Sequence, residues 1–167
     1  MKLTHINENG NPKMVNVGAK HITERLAIAS GRIKMSKATF ELALSGQGKK
    51  GPVEQIAIIS AIMGAKKTSE LIAMAHPILI SGTDAELIAL PELPGFELRV
   101  KVSTSGQTGA EMEALSAVSI GLLNLYDMLK AAEKGMEILD ICLEYKSGGK
   151  SGEWQREKNS QKLSRYR

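Results

Sequence analysis

Residues 78–104 read ILISGTDAELIALPELPGFELRVKVST, and this stretch decides the fold class. Ile78 to Leu90 and Phe96 to Thr104 are rich in aliphatic and β-branched residues and read as two strands. Pro91-Glu92-Leu93-Pro94-Gly95 joins them as a turn. A connection this short makes the two strands antiparallel neighbours. Ser105-Gly106-Gln107-Thr108-Gly109 is a second turn, and a long helix follows from about Ala110 to Lys134. Its apolar side carries Met112, Leu115, Val118, Leu122, Leu125 and Leu129. Gly135 stops it. Met136 to Tyr145 reads as a final strand, with Ile141 and Leu143 on one face and Cys142 and Glu144 on the other.

Upstream, Pro52 suits the first turn of a helix running to about Lys67. Ile56, Ile59 and Met63 recur there at helical spacing, widened by Ile58 and Ile62, and mark its apolar stripe. A short helix capped by Thr68 or Ser69 must end before His76, because Pro77 disfavours helical geometry at the residue before it. Ser36 is the N-cap of a helix carrying Phe40 and Leu44 and ending near Gly46. Residues 1 to about 33 read as an irregular arm with one short strand at Met14-Val15-Asn16-Val17. Helices beside adjacent antiparallel strands give an α+β class, with the helices packed on one face of a sheet.

Length and composition agree. The chain has 167 residues, enough for one core without a disulfide or metal staple. Hydrophobic residues make up 43% and aromatics only 4%, so the core is aliphatic. Cys142 is the only cysteine, which excludes a disulfide framework and a cysteine-based zinc site. No apolar run reaches the ~18 residues of a membrane span. The opening Met1-Lys2-Leu3-Thr4-His5 lacks a signal peptide's apolar stretch, so a cytoplasmic location is expected. The net charge is +4, but the tail from Ser151 carries five bases against two acids. The body is therefore nearly neutral. We expect residues 1–152 to form one domain and 153–167 a basic, mobile tail. Scarce aromatics argue against binding single-stranded nucleic acid by base stacking.

Single motifs are weak. Gly46-x-Gly48-x-x-Gly51 matches a dinucleotide fingerprint, but a helix rather than a strand precedes it. With Lys49 and Lys50 it remains a basic loop leading into a helix N-terminus, an arrangement that suits an anion. Gly149-Lys150-Ser151 ends like a P-loop, yet Glu144 stands where that motif needs a glycine. Thr108 and Glu111 have capping-box spacing, and Glu113 falls in the first turn, where the helix dipole favours an acid. Asp127 and Lys130 are neighbours on the helix surface. A partly buried setting would turn this pair from a surface ion pair into a tuned acid–base group. A lone His76 is more often structural than a metal ligand, and no metal site is expected. Cys142 reads as a small core residue.

The order of these segments is far more specific than any one of them. Met14-Val15-Asn16-Val17-Gly18-Ala19-Lys20, Lys50-Gly51, Ala65-Lys66-Lys67-Thr68-Ser69-Glu70-Leu71-Ile72 and His76-Pro77 follow one another along the chain. Thr108-Gly109-Ala110-Glu111-Met112-Glu113-Ala114-Leu115, Tyr126-Asp127-Met128-Leu129-Lys130-Ala131 and Lys146-Ser147-Gly148-Gly149-Lys150-Ser151-Gly152 complete the series. Together they resemble the cyclic pyranopterin monophosphate synthase family of molybdenum cofactor biosynthesis, over roughly residues 3 to 152. The resemblance implies a ferredoxin-like fold and a homohexamer built as a trimer of dimers, with active sites at the dimer interface. It implies conversion of a cyclised dihydro-GTP to cyclic pyranopterin monophosphate with release of pyrophosphate. It implies Lys50, Asp127 and Lys130 as the catalytic group. Met74, Ala75, His76, Met112 and Glu113 would line the substrate, with Glu111, Lys66 and Lys146 as further contacts. No resident cofactor is implied; Mg²⁺ would enter only with the triphosphate. The chain departs from the family pattern at Asn16 and Pro52, where aspartate is usual, at Ala73, where proline is usual, and at Ala75, where cysteine is usual. The competing class is a non-catalytic nucleotide- or RNA-binding module with a basic tail.

One geometric point supports a shared site. Glu113 and Asp127 lie fourteen residues apart on one helix, about 21 Å at ~1.5 Å per residue. One small substrate reaches both only if a second chain brings the far end of its helix alongside.

Overall fold

The computed structural model describes residues 6–46 and 51–157. Its elements run β1 (Thr23–Lys34), α1 (Lys37–Ser45), α2 (Val53–Lys66), α3 (Thr68–Leu71), β2 (Ile80–Leu90), β3 (Gly95–Gly106), α4 (Glu111–Leu129), β4 (Glu137–Ser147) and β5 (Trp154–Gln155). The sheet order is β2-β3-β1-β4-β5, and every neighbouring pair is antiparallel. The segments β1-α2-β2-β3-α4-β4 therefore form the split βαβ arrangement of ferredoxin-like folds. The α+β expectation holds.

Three expectations are corrected. The first concerns the arm: residues 23–34 are not irregular but form the sheet's central strand, while Met14–Val17 is no strand. β1 escapes a hydrophobicity reading because its core face is Ala27, Ala29, Gly31 and Ile33. Small residues are needed there because α4 lies directly on them. A Cβ at Gly31 would come within 2.8 Å of Val118 and 2.9 Å of Leu122 and Ile141. Gly31→Val adds a β-favouring residue, so strand propensity alone predicts a gain. Overpacking predicts the opposite, a loss of about 1–3 kcal/mol. The denaturant midpoint decides the sign.

The second concerns α2. Its buried residues are Val53, Ala57, Ala61, Gly64 and Ala65, not the isoleucine stripe. These small residues let α2 lie close against α4, where a Cβ at Gly121 would meet the Ala57 carbonyl at 3.0 Å and Ala61 Cβ at 3.1 Å. Ile59 and Met63 are consequently 55% and 57% exposed, with Ile56 also exposed, and Leu123 of α4 is exposed too. The third concerns α4, which ends at Leu129 rather than Lys134, with Lys130 as its C-cap. It starts at Glu111 with Ala110 as N-cap and no side-chain cap, so the Thr108–Glu111 capping box is not formed. β5 pairs with β4, and the Arg156 side chain donates to the Leu143 carbonyl at 2.8 Å, so the sheet extends past residue 152.

Ser36 caps α1 as expected, accepting from the Thr39 amide. The core joins Ile33, Leu98, Val100, Val102, Val118, Leu122 and Leu125, all fully buried, between the sheet and α2 and α4. Cys142 stands apart from that core. It is partly exposed, and its Sγ donates to Glu144 Oε1 at 3.3 Å. Burial and the Glu144 carboxylate push its thiol pKa up, so it is a poor nucleophile at neutral pH. No helix among the described residues is long and apolar enough to cross a membrane.

Candidate active site

The turn after β3 delivers α4's first turn against the segment that links α3 to β2. Glu111, Met112 and Glu113 thereby face Met74, Ala75 and His76 across a cleft of about 310 Å³. The third wall is the arm before β1, through Val15, Val17 and Lys20. Six of the residues named from sequence meet in this cleft. The geometry comes from the register of β3 and α4, which no local pattern reveals.

Glu113 is the most unusual side chain of the site. It is only 3% exposed, and its pKa is raised to about 7. Burial is the main cause; its own backbone N–H pulls the value down, and the Glu111 charge raises it slightly. Near neutral pH this carboxyl can both donate and accept a proton. Glu113 also walls a second cleft of about 430 Å³ between α2 and β2, where Lys66 and Ser69 stand. Lys66 therefore lines this second cleft and not the one that His76 lines.

His76 Nε2 is 2.7 Å from the Val15 carbonyl oxygen. A carbonyl only accepts, so Nε2 carries a proton and donates to it. Asn16 Oδ1 accepts from the Gly18 amide at 2.8 Å. That turn uses only a side-chain oxygen, so asparagine closes it as aspartate would.

Lys146 is near the end of β4, and its Nζ bonds Ser151 Oγ. Beside it the Gly148-Gly149 turn takes positive φ at both glycines. A Cβ on Gly148 would meet the Glu24 carbonyl at 2.2 Å, and one on Gly149 would meet Arg25 Nη1 at the same distance. Arg25 itself donates to the Gly106 and Gln107 carbonyls at 2.9 and 3.2 Å. It thus ties the glycine turn to the turn that precedes α4. Sequence reasoning missed Arg25, Gln107 and Lys20; a charged residue inside β1 was the only available signal for the first.

Asp127 and Lys130 sit at the other end of α4, 2.5 Å apart and each about half exposed. The partly buried setting weighed from sequence is not present in one chain. Lys130 is shifted up rather than down, because the Asp127 carboxylate bonds it and stabilises its charge. One chain does not bring this pair to the His76 cleft. Lys50 lies outside the described residues. Among the described residues no group of three His, Cys, Asp or Glu side chains is placed to hold a metal ion.

Comparison with known proteins gives a consistent result. The model of the MoaC family matches residues 14–149. A cyclic pyranopterin monophosphate synthase of Helicobacter pylori (strain HPAG1) is 54% identical over 158 residues, covering 95% of this chain and all of that protein. Proteins of the same name from Helicobacter hepaticus and Campylobacter jejuni are 55% and 54% identical, over 94% and 93% of this chain and 99% of each relative. The elements that build the cleft all lie inside the matched span, and the chain belongs to the MoaC family.

Proposed function

We propose that this chain is a cyclic pyranopterin monophosphate synthase, a lyase of molybdenum cofactor biosynthesis, the name its relatives carry. It takes a cyclised dihydro-GTP and forms cyclic pyranopterin monophosphate and pyrophosphate. The observation that carries the reading is the cleft in which Met74, Ala75 and His76 meet Glu111, Met112 and Glu113. Hydrogen-bonding groups of both polarities suit a purine-derived ring there. Arg25, Lys146 and the glycine turn suit the phosphates. Lys50 and Lys130 exchange protons with the substrate, and Asp127 holds Lys130 in its charged form, ready to donate. Mg²⁺, where it enters, enters on the triphosphate.

The site is completed by a second copy of the chain, which brings its Asp127–Lys130 pair beside the cleft. The exposed apolar face of Ile56, Ile59, Met63 and Leu123 supports association. We read the assembly as a homohexamer, a trimer of dimers, working in the cytoplasm. The test is pyrophosphate release from cyclised dihydro-GTP by the wild type and by Lys50→Ala. Release lost in the variant is expected. Absence of release from a folded wild-type oligomer would put a non-catalytic nucleotide-binding module in its place.

A further inference from the structure

The arm that walls the cleft has little of its own to hold it there. From Asn11 to Lys20 it belongs to no helix or strand, and only Val15 and Val17 are even partly buried. Hydrophobic burial therefore anchors it weakly, and hydrogen bonds decide where it lies. Two side chains from outside the arm supply them. His76 holds the Val15 carbonyl. Gln107 Nε2 donates to the Gly18 carbonyl at 3.1 Å and to the Lys20 carbonyl at 3.0 Å. Both acceptors are carbonyls, so the amide nitrogen must face them. Gln107 sits on a turn that Arg25 fixes through two main-chain carbonyls. A rigid base thus presents one donor group to two points of a weakly anchored segment.

We infer that Gln107 is a positioning residue: its amide latches residues 18–20 and so sets the arm as a wall of the substrate cleft. It touches no substrate and acts through Val15, Val17 and Lys20. The inference rests on the cleft being the nucleotide site. Its signature is in substrate binding rather than chemistry.

Gln107→Glu keeps the shape but turns the donor into a charged acceptor facing two carbonyls. Losing two hydrogen bonds of ordinary strength and adding repulsion should raise KM for cyclised dihydro-GTP about 10-fold, with kcat within about 3-fold. Trypsin should cut after Lys20 faster, since the carbonyl of that peptide bond is one that Gln107 holds. Gln107→Lys restores a donor and should bring both readouts back toward wild type. Gln107→Ala, which removes the donor without repulsion, should raise KM about 3-fold and covers the case in which the glutamate variant does not fold. Wild-type KM and wild-type cleavage in Gln107→Glu would overturn the latch, as would a loss confined to kcat. Met112→Trp fills the cleft without reaching the latch. Full turnover in that variant would sink the cleft reading itself, which separates the two failures.

Discussion

Co-expression of Lys130→Ala with His76→Ala should restore turnover to roughly a quarter of wild type, whereas each variant alone should be nearly inactive. Random pairing makes half the dimers mixed, and a two-fold axis gives each mixed dimer one site with both changes and one with neither. Removing the proton-transfer group Lys130 costs on the order of 100-fold or more, and removing His76 takes away a wall of the cleft and the donor that holds the Val15 carbonyl, so the single variants should leave a low background. The expectation follows from α4. Glu113 lies in the His76 cleft at its first turn, and Asp127 and Lys130 stand at its last turn and cap. A rigid helix holds them about 21 Å apart, beyond the reach of one small substrate. The measurement is pyrophosphate release from the purified mixed assembly. No recovery above the two single variants would mean that both groups serve the same chain's site, and the shared-site reading would fall.

The same helix shows where a sequence can be read and where it cannot. The β2–β3 hairpin and α4 were legible because each is a long apolar pattern with its own turn residues. β1 was not, since Ala27, Ala29 and Gly31 are small for a reason set by α4, ninety residues downstream. The stripe on α2 was found, but its direction was not. Periodicity identifies an apolar face without saying whether the chain's own core or another surface covers it. Here Ala57, Ala61 and Gly64 face α4, and Ile59 and Met63 face outward. The cleft residues were named only through the order of short segments that resembled a family. Gln107 carried no signal at all, because its partners are main-chain carbonyls that any residue supplies.

Glu113→Gln should gain stability relative to wild type as pH rises, by roughly 2–3 kcal/mol between pH 5 and pH 8. The wild-type carboxyl has a folded pKa of about 7 against an ordinary 4.5. Below pH 4.5 both states are protonated, and the group is neutral in its effect on the balance. Between 4.5 and 7 the folded state holds more protons than the unfolded one, so stability falls with rising pH. Above 7 the folded state must keep a buried charge, and the loss is complete. Glutamine resembles the protonated form and has no such slope. Subtracting the two stability curves removes every other titration, provided both proteins are measured at one concentration. Parallel curves would mean that Glu113 stays ionised in the assembled protein. A difference of that size would mean that about half of the Glu113 carboxyls are protonated at neutral pH. A neutral Glu113 fits beside a nucleotide already carrying several negative charges, and it can donate a hydrogen bond where a carboxylate could only accept. The same burial that costs stability at high pH thus weakens a like-charge repulsion in the cleft at neutral pH.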